Sequence, residues 1–249
     1  MRYILNTKSL GHIYKGFQRL VSLSSRPTQL KEPSTSVTTT IVPRDFSLPN
    51  SSWGSEMMRL YEHYNSQCEV ETEGGEKQEG PWQRLPSCRD LIKHASGGVS
   101  YSDRVQPKGI FFTQNTTEPG AAFEYVVFAN NEEQKSVCIF QSGHLLEGAP
   151  GHVHGGAIAA MIDNVTGTHA TFFYGLVMTA NLNINYRSPI PLGSTVVLES
   201  SLDKKEGKKT FISCKVTSSD GSQLHTEATV LFLSVSVSDL MRVLESSHL

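Results

Sequence analysis

A run of small and apolar residues, GHVHGGAIAAMIDNVTGTHATFFYG, precedes four strand-like segments and constrains the fold more than any other part of the chain. The run has one carboxylate and no lysine or arginine, so it predicts a helix that is buried on most sides. Short, turn-like connections join the four segments and predict an antiparallel meander: 177–186, 195–202, 210–218 and 224–235. Together they predict an α+β fold, a curved antiparallel sheet wrapped around one long central helix.

Two elements are predicted before the central helix. Segments 123–129 and 136–140 are rich in β-branched and aromatic residues and flank a turn, so they predict a hairpin. An accessory packing helix is predicted after residue 52, with apolar residues at helical spacing: Met57, Leu60, Tyr61 and Tyr64. The acidic, glycine-rich residues 69–80 predict a solvated loop, and residues 81–109 receive no assignment.

The composition excludes several classes of protein. A formal net charge of −2 over 249 residues argues against a polycation that binds nucleic acid. No apolar run approaches the ~18 residues of a membrane span, so no transmembrane segment is predicted. The four cysteines are far apart in the sequence, which argues against a disulfide framework and favours a reducing compartment.

The beginning of the chain has the composition of a targeting segment. It is basic and rich in Ser and Thr, and its first acid is Glu32. This pattern predicts a mitochondrial transit peptide over residues 1–36 and a location in the matrix. A disordered basic tail and a membrane-surface helix are the alternatives, and an additional cytosolic pool stays open. The rest is divided into three parts: an N-terminal extension with the accessory helix and acidic loop (37–110), the main domain (111–237) and a C-terminal tail (238–249).

Chemistry is expected at the start of the central helix and two turns further along it. His154, Gly155 and Gly156 open the helix, where free backbone N–H groups and the helix dipole favour developing negative charge. Asp163 lies among apolar residues, where a carboxylate needs a partner or a catalytic task. Two structural alternatives stay open: His154 as a capping or turn residue, and Asp163 as a carboxylate that bonds a loop or a neighbouring helix.

The strand after the helix alternates between apolar and polar residues. Period-two spacing predicts one face with Met178, Ala180, Leu182, Ile184 and Tyr186, and an opposite face with Thr179, Asn181, Asn183, Asn185 and Arg187. The apolar face is expected to meet the helix or another core surface, and the polar face to meet water, a ligand or another chain. Four lysines then predict either a solvated hairpin tip or a contact for a polyphosphate ligand: Lys204, Lys205, Lys208 and Lys209.

Several motifs, in order, make the chain resemble a known family. The strongest are GHVHGGAIAAMID and VMTANLNINYRSPIP, supported by FEYVVF, SVCIFQSG, LEGAPG and LDKKEGKKTFISC. The chain resembles the hotdog-fold acyl-CoA thioesterases, and more narrowly the mitochondrial group that includes the carboxyl-terminal modulator protein. The resemblance implies a hotdog domain over 111–237. It also implies a homodimer or a dimer of dimers, with the active site at the subunit interface.

The resemblance also implies catalytic roles. Asp163 would act as general base on a water or attack the thioester directly, and the Gly155 N–H would hold the oxyanion. His154 would position that loop or the substrate carbonyl. Thr179, supplied by the partner subunit, would hold the attacking water or orient Asp163.

The same resemblance implies contacts with the coenzyme A portion of the substrate. These positions are Asn185, Arg187, Lys208 and Lys209. Two residues depart from the family pattern: Arg187 stands where lysine is common, and His152 stands where phenylalanine is more usual. The change at His152 bears on the shape of the acyl entrance. No metal and no separate cofactor are expected, since coenzyme A belongs to the substrate.

The expected activity is hydrolysis of medium- to long-chain fatty acyl-CoA to free fatty acid and CoA. Such a reaction passes through an oxyanion, so it needs a base and oriented N–H donors. The absence of a Gly-x-Ser-x-Gly elbow argues against an α/β-hydrolase mechanism. The alternative is a signalling modulator that binds a protein kinase through the hotdog body or the N-terminal extension. A hotdog dehydratase is a weaker third candidate.

Overall fold

The computed structural model describes residues 48–71, 77–85, 118–236 and 238. The predicted transit peptide and Cys88 lie outside these residues, as does all of the predicted C-terminal tail except Ser238. The described elements, in chain order, are α1 (Ser55–Asn65), β1 (Glu69–Glu71), β2 (Lys77–Glu79), β3 (Trp82–Arg84), β4 (Phe123–Asn130), β5 (Lys135–Ser142), a 3-10 turn (His144–Leu146), α2 (Gly155–Tyr174), β6 (Val177–Tyr186), β7 (Thr195–Glu206), β8 (Lys209–Ser218) and β9 (Leu224–Ser234).

Seven of the strands form one antiparallel sheet in the order β3-β4-β5-β7-β8-β9-β6. The predicted hairpin is β4 and β5, which pair from Phe123 opposite Ser142 to Asn130 opposite Lys135. The predicted meander is β7, β8 and β9, with β6 added beside β9. Within the described sheet β6 is therefore an edge strand, with one side of its backbone left for pairing.

The central helix α2 packs on the inner face of the sheet, against β5, β6, β7, β8 and β9. It buries Ile158, Met161, Ile162 and Val165 at helical spacing, and the small residues between them let the strands approach closely. The helix ends at Tyr174, and its C-cap is Gly175, whose φ of 86° suits glycine. The predicted hotdog arrangement, an antiparallel sheet around one long helix, is confirmed.

The accessory helix α1 covers part of the outer face, on β4, β5 and β7. Its Met57 and Leu60 are buried against Phe128, Ile139 and neighbouring residues. The predicted helix and its packing role are confirmed.

A buried carboxylate fixes the segment that leads into α1. Glu124, 2% exposed, accepts hydrogen bonds from Asn50 Nδ2 (2.9 Å), Trp53 Nε1 (2.9 Å) and the Gly120 N–H (2.8 Å). Three donors on one carboxylate offset much of the cost of removing it from water.

The acidic stretch 69–80 departs from its prediction. Instead of a loop, β1 and β2 pair antiparallel, and all six of their residues are exposed. Lys77 Nζ lies 2.9 Å from Glu69 Oε2, so opposite charges on neighbouring strands support a pairing that composition alone does not indicate.

Candidate active site

The start of α2 is built around a histidine cap. His154 has extended backbone angles (φ −62°, ψ 133°), and its Nδ1 accepts a hydrogen bond from the Gly156 N–H at 2.9 Å. The capping alternative for this residue is thus observed. The cap satisfies one of the free N–H groups of the first turn. Within the described residues, the Gly155 N–H forms no hydrogen bond, so it remains a donor at the positive end of the helix dipole.

Two neighbours that sequence reasoning missed hold this helix start. A Cβ on Gly148 would lie 2.7 Å from His154 Cα, so only glycine lets the preceding loop pack there. Tyr186, at the end of β6, donates its hydroxyl to the Gly155 carbonyl at 2.8 Å. Nothing in the sequence marked these two residues as part of the site, because Gly148 lies in a turn-rich stretch and Tyr186 is one of several residues of an alternating strand.

A cavity of about 700 Å³ opens beside the helix start. It is lined by Glu147, Gly148, Ala149, His152, Val153, His154, Gly155 and Pro189. His152 therefore lines the cavity, with its Nδ1 2.9 Å from the Pro150 carbonyl oxygen. The cavity gives a ligand a route to the Gly155 N–H.

The half-buried carboxylate of Asp163 has a hydroxyl partner. Thr179 Oγ1 donates to Asp163 Oδ1 at 2.7 Å, which joins β6 to the middle of α2. The predicted association of the two residues is observed, but the contact lies within one chain. The expectation that the partner subunit supplies this threonine is therefore wrong for the hydroxyl bonded here.

A β-bulge explains why Thr179 reaches the helix. Thr179 pairs with Phe232 and Asn181 with Leu231, so Ala180 is an extra residue in β6. Residues directly opposite one another share a face of the sheet, and Phe232 is 1% exposed against the helix. The predicted placement of Thr179 on the same face as Asn181 is wrong, because the extra residue reverses the alternation before it.

The amide and the carboxylate lie far apart within one chain. Gly155 and Asp163 are separated by eight positions, or about 12 Å along the axis at 1.5 Å per residue. An oxyanion donor must lie about 3 Å from the carbonyl oxygen and a base within hydrogen-bond reach of the attacking water. The Gly155 and Asp163 of one chain are therefore too distant to act on the same carbonyl.

The four residues expected to contact coenzyme A form two groups. Arg187 bonds Glu227 (Nη2–Oε2 2.9 Å), while Asn185 pairs opposite Glu227 in the sheet. Lys209 pairs opposite Leu233, and the exposed Lys208 is next to it. Glu227 and Leu233 are six positions apart on β9, or about 20 Å at ~3.4 Å per residue. Within one chain, the two groups therefore lie at opposite ends of β9.

A buried histidine that the sequence did not reveal lies on the other side of α2. His169 is fully buried and its Nδ1 lies 2.9 Å from Ser200 Oγ on β7, while its Nε2 has no partner among the described residues. Burial lowers the pKa of His169 to about 4, because the protonated ring would lose its hydration. His169 is therefore neutral at pH 7. Its helical spacing from Ile162 and Val165 was the available signal of burial.

Two negative observations apply to the described part of the chain. In residues 48–71, 77–85 and 118–236, no three side chains of His, Cys, Asp or Glu are grouped to hold a metal ion. None of the helices described there is both long and apolar enough to cross a membrane.

Comparison with known proteins identifies the family of the chain. A model of the thioesterase superfamily matches residues 150–225, which include all of α2 and the strands β6 to β8. Acyl-coenzyme A thioesterase THEM4 of Xenopus laevis is 43% identical over 191 residues, covering 77% of this chain and 81% of the relative. The chain belongs to the thioesterase superfamily.

Two further relatives and one solved structure are also similar to the chain. Acyl-coenzyme A thioesterase THEM4 of Rattus norvegicus is 40% identical over 225 residues, covering 86% of this chain and 93% of the relative. Acyl-coenzyme A thioesterase THEM5 of Homo sapiens is 34% identical and covers 79% and 77% of the two chains. A crystal structure described as a thioesterase superfamily protein is 27% identical, with a TM-score of 0.41, over 44% of this chain and 53% of that one.

Proposed function

We propose that this thioesterase superfamily member hydrolyses medium- to long-chain fatty acyl-CoA thioesters to free fatty acid and CoA. The observation that carries the proposal is the helix α2, which presents an unbonded Gly155 N–H at its start and an Asp163 carboxylate bonded to Thr179 further along. The names of the relatives, acyl-coenzyme A thioesterases, support the same substrate class.

The chemistry follows from these two groups. Asp163 takes a proton from a water that Thr179 helps to hold, and the hydroxide attacks the thioester carbonyl carbon. The carbonyl oxygen becomes an oxyanion, which accepts a hydrogen bond from the Gly155 N–H. When the tetrahedral intermediate collapses, the carbon–sulfur bond breaks and CoA leaves as a thiolate, which takes up the proton from Asp163 and restores the carboxylate. Direct attack by the Asp163 carboxylate, followed by hydrolysis of an anhydride, uses the same groups.

The complete site requires two copies of the chain. Gly155 and Tyr186 lie at one end of the edge strand β6, while Asp163 and Thr179 lie at the other. Antiparallel pairing of two β6 edges would set the Thr179 end of one copy beside the Tyr186 end of the other. One carboxylate and one amide would then approach the same carbonyl from different copies.

The same pairing would reunite the coenzyme A contacts. Lys209 lies at the Met178 end of the sheet, because both residues pair with Leu233. The pairing would bring Lys208 and Lys209 of one copy towards Asn185 and Arg187 of the other. Two positive groups on either side of a bound ligand suit the phosphates of coenzyme A.

Release of CoA from palmitoyl-CoA, followed with a thiol reagent, tests the proposed activity. Asp163→Asn is expected to lower kcat by at least ~10², because a positioned base contributes typically 10²–10⁴. Asp203→Asn is the matched control, since Asp203 also accepts a hydroxyl hydrogen bond at 2.7 Å, from Ser213. Full turnover by Asp163→Asn would overturn the residue's role. No CoA release by the folded wild-type protein would overturn the activity and favour the kinase-binding alternative.

Gly155→Pro tests the oxyanion donor separately. Proline at the first helical position removes the N–H without breaking a helical hydrogen bond, and the extended His154 is compatible with a following proline. A loss of about 10²–10³ in kcat is expected. Gly155→Ala keeps the N–H and places a Cβ at an ordinary 3.6 Å from the Tyr186 ring, so it should retain most activity. Equal activity of both variants would exclude the Gly155 N–H as donor.

Mixing inactive subunits tests whether two copies share the site. If the base and the donor come from different chains, a mixed dimer of Asp163→Asn and Gly155→Pro has one intact site. Refolding the two together should then restore up to about one quarter of wild-type activity. No recovery in a confirmed mixed dimer would place both groups of a site in one chain.

A mitochondrial matrix location is proposed from the basic, acid-poor residues 1–36. Fusion of residues 1–36 to a fluorescent protein should deliver it to mitochondria, and their removal should leave the chain in the cytosol. A cytosolic fusion protein would overturn the assignment.

A further inference from the structure

A chain of hydrogen bonds runs through the first peptide group of α2. The Tyr186 hydroxyl donates to the Gly155 carbonyl oxygen at 2.8 Å. The N–H of the same peptide group belongs to Gly156, and it donates to His154 Nδ1 at 2.9 Å. A peptide that accepts at its oxygen becomes a better donor at its nitrogen, because the two bonds polarise it in the same direction.

This chain fixes the tautomer of His154. A backbone N–H can only donate, so Nδ1 must be the acceptor and the neutral imidazole carries its proton on Nε2. His154 is exposed and lines the cavity at the helix start, and its Nε2 has no hydrogen-bond partner among the described residues. The helix start therefore offers two donors to a ligand, the Gly155 N–H and the His154 Nε2–H.

The ring of Tyr186 also limits access to Gly155. A Cβ built on Gly155 would lie 3.6 Å from the Tyr186 ring, so the ring covers the side of the residue where its Hα lies. Tyr186 is nevertheless 53% exposed, at the end of an edge strand. A large, exposed aromatic ring with its hydroxyl bonded to a helix carbonyl is well placed to hold the first turn in one orientation.

We propose that Tyr186 is a positioning residue, which through the Gly155–Gly156 peptide holds His154 with its Nε2–H directed to the thioester-binding cavity. The inference rests on the proposed acyl-CoA hydrolysis for its effect on rate, but the tautomer follows from the hydrogen bonds alone. Tyr186 acts through the peptide and His154 and does not itself touch the reacting atoms.

Tyr186→Phe tests this role, because it removes the hydroxyl and keeps the ring. Loss of one net hydrogen bond should lower kcat about 3- to 10-fold with little change in KM. The imidazole ¹⁵N shifts of His154, assigned by their absence in His154→Gln, should show the Nε2–H form in the wild type. In Tyr186→Phe the fraction of the Nε2–H form should fall, because the Gly156 N–H that bonds Nδ1 becomes a weaker donor. A merely structural hydroxyl would leave those shifts unchanged.

Tyr174→Phe is the matched control, since the Tyr174 hydroxyl donates to Gln134 Oε1 at 3.3 Å at the far end of α2. It should change neither kcat nor the His154 shifts. Unchanged shifts or unchanged kcat in a folded, dimeric Tyr186→Phe would overturn the inference. If the wild type releases no CoA, the proposed function fails. The shifts then still decide whether Tyr186 sets the tautomer.

Discussion

Acid should destabilise the fold through His169, the buried histidine bonded to Ser200. The pKa of this ring falls from about 6.5 in the unfolded chain to about 4 in the folded protein, because burial removes the hydration of its charged form. Between these values the unfolded chain binds a proton that the folded protein excludes. The free energy of unfolding must therefore fall as the pH is lowered from about 6.5 towards 4.

The size of the effect follows from the shift. A difference of about 2.5 pKa units at 1.36 kcal/mol each gives about 3 kcal/mol of stability lost by pH 4. This is a large fraction of the 5–15 kcal/mol typical of a folded domain. Carboxylates also titrate in this range, so the histidine's share must be isolated by comparing variants.

Urea unfolding at pH 7 and pH 4, followed by circular dichroism, supplies the measurement. His169→Gln keeps a polar partner for Ser200 but cannot bind the proton. Between pH 7 and pH 4, its free energy of unfolding should therefore fall by about 3 kcal/mol less than that of the wild type. His144→Gln is the control, because it makes the same substitution at an exposed position. Equal pH dependence in His169→Gln and the wild type would refute the reasoning.

Three further predictions concern other contacts. Glu124→Gln should lower the free energy of unfolding by about 1–3 kcal/mol in urea, because one oxygen that accepts a buried hydrogen bond becomes a donor. Gly148→Ala should lower the free energy of unfolding by about 1–3 kcal/mol in the same assay, since its Cβ would lie 2.7 Å from His154 Cα. The same variant should also release CoA more slowly. Glu227→Gln should change stability by less than ~1 kcal/mol, because its pair with Arg187 is largely exposed. It should lower KM for acyl-CoA at low salt by freeing the guanidinium.

The order of elements was predictable because the signals are local. Small and apolar residues at 151–175 indicate a buried helix, and the turns after residues 186, 202 and 218 indicate a meander. The hairpin at 123–140 follows from the same kind of pattern. Strand order, with β6 at the edge beside β9, depends on contacts between distant segments that periodicity does not encode.

The sequence allowed the residues of the site to be named, but it gave only part of their arrangement in space. The motif at His154 and the carboxylate at Asp163 follow from the resemblance, and the helical rise between Gly155 and Asp163 was available from the sequence. The contact of Asp163 with Thr179 of the same chain depends on the bulge at Ala180. The bulge interrupts the regular alternation of side chains between the two faces of β6. No residue type marks that position, so period-two reasoning assigns the wrong face.

The extra residue in β6 also divides the strand into two segments of opposite phase. Saturation mutagenesis should find that substitutions are poorly tolerated at Leu182, Ile184 and Tyr186, which are even-numbered positions. On the other side of the bulge the sensitive position should be the odd-numbered Thr179. Deletion of Ala180 would remove the bulge and restore regular alternation along β6. The Thr179 side chain would then keep its hydroxyl bond to Asp163 only if its face of the sheet were unchanged, so the contact tests where the deletion moves the register. The length of this strand, as much as its composition, is therefore under chemical constraint.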